Sequence, residues 1–329
     1  MKKRNVLVVI LVGFVLVFIL GAYQTMTVLG KPLGPHLVIQ LKAADKPANP
    51  IKIGDNEIDQ PVKQSTGVCN NTGTMVILAT GFDEKVEPPF GADTIRYINA
   101  DFDTPAITVV AVPRDIWLET AALEEQKISE TTAGKLFYYS HKAATGDPIE
   151  RLVTATTDLA QTLYDTFSVK PDYYGTVELS SMVDVIDAVG GVTVDIPEEV
   201  TSGSVTFKPG EQELDGQQAM LYMRALPESS SEWDRFARQD LVLLALRDKL
   251  LSPAVLPKLP DLIKIYQESF VTDLSPAQAL DLSCLIQEVS VENIQFKEVG
   301  PEMVSPGPEG SMLPDVPAIS EFLKTEMDQ

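Results

Sequence analysis

The sequence carries eight arginines, and four of them, Arg224, Arg235, Arg238 and Arg247, fall between positions 224 and 247. Arginine presents a planar fork of donors that matches phosphate oxygens, whereas lysine is a flexible point charge. Such clustering, in a chain of net charge −21, points to a specific anion site. The plain alternative is salt bridging to the many carboxylates. A second charged group follows the apolar run Ile107–Val112, where Pro113 ends the run and delivers Arg114 and Asp115 in tandem. Asp83 closes the earlier run that starts at Met75, and Asp93 opens the next one. Two or three carboxylates beside an arginine suit a divalent cation with a phosphate, because Mg²⁺ takes a few carboxylates plus phosphate oxygens. Equally, aspartates cap turns, and Arg114 with Asp115 could form a solvated turn pair.

The elements that position these residues are legible from periodicity. Ile107–Val112 is a short, mostly β-branched run bounded by proline, which reads as a strand buried on both faces. Its Arg–Asp pair then lies at the strand's carboxyl end, where open α/β sheets place ligands. Ser231-x-x-Asp234 is a capping box that opens a helix running to about Leu251, before Pro253. At 100° per residue, Glu232, Arg235, Arg238, Gln239 and Val242 share one stripe of that helix. Arginines in its first turns add to the positive end of the helix dipole, which favours an anion. The stripe turns apolar from Val242 onward, as a phosphate head with a lipid tail would require and as an ordinary buried face would also show. Elsewhere, Asp147–Pro148 starts a helix reaching Phe167. Tyr173–Glu178 reads as a strand and Ser180–Val189 as a helix stopped by Gly190–Gly191, which lacks any phosphate-loop spacing. Residues 119–146 read as a polar loop, with Leu136–His141 helical at most. Alternating strands and helices predict an α/β fold, a central mixed sheet flanked by helices on both faces.

The N-terminus adds a compartment. MKKRN precedes an uncharged apolar run, Val6–Tyr23, just long enough to span a bilayer, and the basic residues keep residues 1–5 cytoplasmic. The expectation is an uncleaved transmembrane anchor at 6–23, since no A-x-A-like site follows, with the bulk of the chain extracytoplasmic; a cleaved signal peptide is the alternative. Residues 24–69, rich in Pro, Gly and Lys, read as a linker, with a weak strand at His36–Gln40. The acidic charge argues against a nucleic-acid partner. The two cysteines, Cys69 and Cys284, offer no zinc spacing, and outside the cytosol they are expected to pair as a disulfide.

ADT at 92–94, VPRD at 112–115, VDVIDAVGGVTVDIP at 183–197, GEQELDGQQAMLYMR at 210–224 and EWDRFARQ at 232–239 occur in one order. Together they resemble the LytR-CpsA-Psr family over roughly residues 70–290, leaving 291–329 as a C-terminal extension packed on the domain. The resemblance implies an α/β sheet with an apolar lipid channel, anchored in a bacterial cell membrane. It implies a phosphotransferase moving a glycopolymer from a polyprenyl-pyrophosphate carrier to peptidoglycan, or alternatively a non-catalytic module that holds polyprenyl phosphate or glycan. Carried over by position, Asp83 and Asp93 match metal-binding carboxylates for Mg²⁺, or Mn²⁺ in its place. Arg114, Asp115, Arg235 and Arg238 match the catalytic group. Arg114, Arg224, Arg235, Arg238 and Gln239 match the pyrophosphate-binding group. The chain departs from the family pattern at Gly91 and Leu226, where arginines are common, at Lys85, and at Glu232, commonly aspartate.

Overall fold

TMVILATGF becomes the strand β1 (Thr74–Phe82), buried at most of its positions because the sheet is covered on both sides. The computed structural model describes residues 32–42, 51–53, 56–58, 71–83, 91–227 and 230–328. The other strands of the main sheet are β2 (Ala92–Asp101), β3 (Ala106–Val112), β4 (Tyr173–Glu178), β5 (Phe270–Thr272) and β6 (Ile294–Glu298). They lie in the order β5-β4-β1-β2-β3-β6. β1 pairs parallel with β4, and β3 with β6, while the remaining pairs are antiparallel, so the sheet is mixed.

The helices are α1 (Ala133–Ala143), α2 (Pro148–Phe167), α3 (Ser180–Ala188), α4 (Gly216–Arg224), α5 (Glu232–Leu251), α6 (Leu259–Ser269), α7 (Pro276–Glu288) and α8 (Val316–Glu326). Leu136 of α1, Leu159 and Leu163 of α2 and Ile319 of α8 pack with Leu78, Ile95 and Tyr97 to cover one face. On the opposite side α3, α4 and α5 share a second core with the hairpin Val192–Ile196/Gly210–Leu214, and α7 packs under the strand ends in a third. Both expected caps are formed: Asp147 with Glu150 at α2, and Ser231 with Asp234 at α5. The segment read as a loop, 119–146, differs. It holds part of a two-stranded ribbon, Trp117–Glu119 with Glu130–Thr132, and then the whole of α1. Leu136–His141, the part read as helical, lies within α1, which starts earlier, at Ala133, where Thr132 caps it.

Residues 33–42, read as linker, lie along the body instead, with no strand at 36–40. Leu37 and Ile39 are buried in the main core. Asp273, 1% exposed, accepts from the Leu37 amide at 3.0 Å and the Tyr174 amide at 2.9 Å, one carboxylate oxygen for each. Asp273→Asn turns one acceptor into a donor facing an N–H, which costs about 1–3 kcal/mol. Hydrogen exchange of residues 33–42 should quicken in that variant, and an unchanged rate would show that the carboxylate does not hold the segment.

The expected anchor, 6–23, and Cys69 lie outside the described residues; among those described, no helix is long and apolar enough to cross a membrane. Cys284, on α7, is disulfide-bonded.

Candidate functional site

The charged residues converge where β1 ends and β2 begins. Gly81 pairs with Thr94 but Phe82 pairs with Ala92, so Asp93 is the extra residue of a β-bulge. Bulges re-aim a side chain that a regular ladder would fix. Asp93 receives a hydrogen bond from Arg114 Nη1 at the end of β3. Asp115 lies 3.7 Å from Arg114 Nε, its side chain 45% exposed. Burial works to lower the Arg114 pKa, but Asp93, Glu232 and Asp115 outweigh it and the net shift is upward, so this arginine stays cationic.

Asp83, just beyond β1, accepts from Arg224 Nη2 at 2.6 Å, which ties the end of α4 to the sheet. Arg235, in the first turn of α5, donates from Nη2 to Glu232 and, at 3.2 Å, to the Asp93 carbonyl. Burial depresses the Arg235 pKa, with Glu232 opposing and Arg114 adding its repulsion. Two guanidiniums close enough to repel would both be relieved by an anion between them. Burial likewise raises the Glu232 carboxyl, against the pull of Arg235 and Arg114.

The stripe expected on α5 is the buried one: Glu232, Arg235, Arg238, Gln239 and Val242 all face inward. Arg238 is nonetheless used differently from Arg235. It donates at 2.7 Å to the Ala225 carbonyl and at 2.7 Å to Ser230 Oγ, fastening the α4–α5 connection.

Between the sheet and α3, α4 and α5 runs a cavity of about 650 Å³. Asp93, Arg114, Arg224, Arg235 and Gln239 line one part of it, and Met182, Met223, Leu243, Leu246 and Leu250 line much of the rest. An apolar hollow with a few convergent polar groups is the usual form of a ligand site, and this volume is within the usual range. A bound chain in it would lie against leucine and methionine with its polar head among guanidiniums. Sequence reasoning missed Arg96, which also lines the cavity. The signal was a lone arginine within the strand TIRYI, on the face opposite Ile95 and Tyr97.

Among the described residues no group of three or more His, Cys, Asp or Glu could hold a metal ion. A closed protein cage is thus not built, but Mg²⁺ does not need one, since it takes one or two carboxylates with phosphate and water. The charge balance bears on this. Arg96, Arg114, Arg224 and Arg235 each already contact a carboxylate: Asp240, Asp93, Asp83 and Glu232. The arginines therefore bring little excess charge to a pyrophosphate. Of the two carboxylates expected to hold the cation, Asp93 lines the cavity, whereas Asp83 lies behind Arg224, its partner there.

The model described as the LytR_cpsA_psr family matches residues 40–314. The chain is 26% identical over 261 residues to the polyisoprenyl-teichoic acid–peptidoglycan teichoic acid transferase TagU of Bacillus licheniformis, covering 79% of this chain and 78% of that one. It is 24% identical to the regulatory protein MsrR of Staphylococcus aureus, covering 61% of this chain and 57% of that one. The crystal structure of B. subtilis TagV shares the fold, with a TM-score of 0.60 at 20% identity, over 78% of this chain and 98% of that one.

Proposed function

Because the chain belongs to the LytR-CpsA-Psr family, whose model spans residues 40–314, we propose that it transfers a glycopolymer from a polyprenyl-pyrophosphate carrier to peptidoglycan. The observation that carries this reading is the cavity itself, lined mostly by apolar side chains and bounded by Arg114, Arg224 and Arg235. The pyrophosphate would sit among these arginines and Gln239, with the polyprenyl chain along the leucines and methionines. Fixed guanidiniums aimed at phosphate oxygens neutralise charge that builds up in transfer, the main contribution a protein makes to phosphoryl chemistry. Asp83 and Asp93 would hold Mg²⁺, or Mn²⁺ in its place, which supplies further positive charge to the phosphates when bound.

An acceptor hydroxyl of the wall attacks the phosphorus next to the glycan. The bond from that phosphorus to the bridging oxygen breaks, and polyprenyl phosphate leaves with the electron pair. The hydroxyl proton passes to a carboxylate at the site, either Asp93, which lines the cavity, or Asp115, which is the more open of the two. Arg238 supports the site from behind, through the α4–α5 connection. Val6–Tyr23 would anchor the chain in the cell membrane with this body outside, at the face where such carriers present their glycans.

A second reading, binding without turnover, is favoured by Leu226, which lines the cavity where the family commonly has an arginine. Incubation of the detergent-purified full chain with Mg²⁺, a polyprenyl-pyrophosphate saccharide and peptidoglycan fragments separates the two. Release of polyprenyl monophosphate supports the transferase. Binding without release makes the chain a holding module, and no binding sinks both.

The partner of Cys284 is assigned as Cys69, the other cysteine of the chain. Non-reducing peptide mapping should give one cross-linked pair containing both residues. Its reduction should lower stability by up to about 5 kcal/mol on the loop-entropy model. A free Cys69 thiol in the map would contradict the pairing.

A further inference from the structure

Arg96 stands in the middle of β2, with Ala79 of β1 and Ala111 of β3 as its register partners. It is 4% exposed, and its Nε has no hydrogen-bond partner. Its Nη1 donates to Asp240 at 2.6 Å and its Nη2 to Gln239 Oε1 at 3.0 Å. A guanidinium has donors and no acceptor, so the amide that meets it must offer its oxygen. That contact fixes which end of Gln239 turns away from Arg96. The oxygen is committed, and the NH₂ group is the end left for the cavity, which Gln239 lines. An amide without that constraint would have to be turned donor-outward by the anion itself, at a cost in ordering that the Arg96 contact removes beforehand.

We propose that Arg96 is a positioning residue, holding the Gln239 amide donor-outward for a phosphate oxygen, with Asp240 fixing Arg96 in turn. The role rests on the phosphate-binding reading above and adds to it the device that orients one ligand. A purely structural role, bracing β2 against α5, would affect stability but leave ligand affinity alone. A direct contact between Arg96 and the ligand would affect affinity independently of Gln239.

Calorimetric titration of the detergent-purified full chain with farnesyl pyrophosphate in Mg²⁺ distinguishes these roles. Arg96→Met is made together with Asp240→Asn, so that no buried carboxylate is stranded. This pair of changes should weaken binding about tenfold, or about 1.4 kcal/mol, and Gln239→Ala should weaken it by a similar factor. All three changes together should bind no more weakly than Gln239→Ala alone. Arg96→Lys, which keeps the charge and a donor for Oε1, should recover most of the affinity and guards against a folding defect. Wild-type affinity in the Arg96→Met/Asp240→Asn chain overturns the proposal, and so do losses that multiply. A wild-type chain that does not bind farnesyl pyrophosphate removes the phosphate-binding reading itself, a distinguishable failure that takes this role with it.

Discussion

Arg114→Ala should lower glycopolymer transfer by about 10²- to 10³-fold, the usual cost of losing one preorganised donor to a charged transition state. The fold should survive, because the side chain is 26% exposed and its partner Asp115 is 45% exposed, although the pair with Asp93 is partly buried. Loss of the exposed pair costs about 1 kcal/mol or less, and leaving Asp93 without its donor costs about 1–3 kcal/mol. Two effects act in the same direction. A guanidinium that three carboxylates keep charged is removed from the cavity, and Asp93 is left without its partner beside an incoming phosphate. Arg114→Lys restores the charge without the fork and should recover only part of the rate. Turnover measured beside thermal unfolding separates activity from folding. Equal turnover in wild type and Arg114→Ala would remove Arg114 from the mechanism.

Gly91→Ala should cost roughly 2–4 kcal/mol of stability and disable the site as well. Gly91 has φ +89°, a region that side chains rarely adopt, and a Cβ there would lie 1.8 Å from the Gly134 carbonyl oxygen. Flexible side chains can yield to such a contact, but a helix backbone cannot do so cheaply. The Gly134 amide donates to the Arg114 carbonyl at 2.9 Å, so a displaced α1 would drag the end of β3 with it. The arginine common at this position in the family has no room on this backbone, and Gly91→Arg should unfold the region instead of adding charge. Urea denaturation with turnover of the surviving folded fraction is the check. A Gly91→Ala chain as stable as wild type would show that the approach of α1 to β2 is looser than described.

Much of the fold was legible because its signals are local. Asp147–Pro148 and Ser231-x-x-Asp234 each place a helix start through contacts within four residues. The α5 stripe follows from helical periodicity alone. The order of the strands was not legible, because β5 and β6 join the edges from positions far along the chain and nothing local specifies their neighbours. The same limit hid the packing of residues 33–42, which depends on Asp273 more than two hundred positions away. At the site, residue types at strand ends suggested an anion with a cation. Which arginines share the cavity depends on side-chain direction. Arg235 and Arg238 are three residues apart on one stripe, yet only Arg235 lines the cavity. The bulge that re-aims Asp93 is a register event between two strands, invisible in either strand by itself.

Lipid analysis of the native chain tests the cavity assignment most directly. The chain would be purified from cells in mild detergent, and its bound lipid identified by mass spectrometry. Polyprenyl phosphate or pyrophosphate should co-purify in near-stoichiometric amount, and should be strongly depleted in an Arg235→Met chain that still folds. Recovery of only bulk phospholipid, equal in the two chains, would contradict a cavity built for a polyprenyl pyrophosphate.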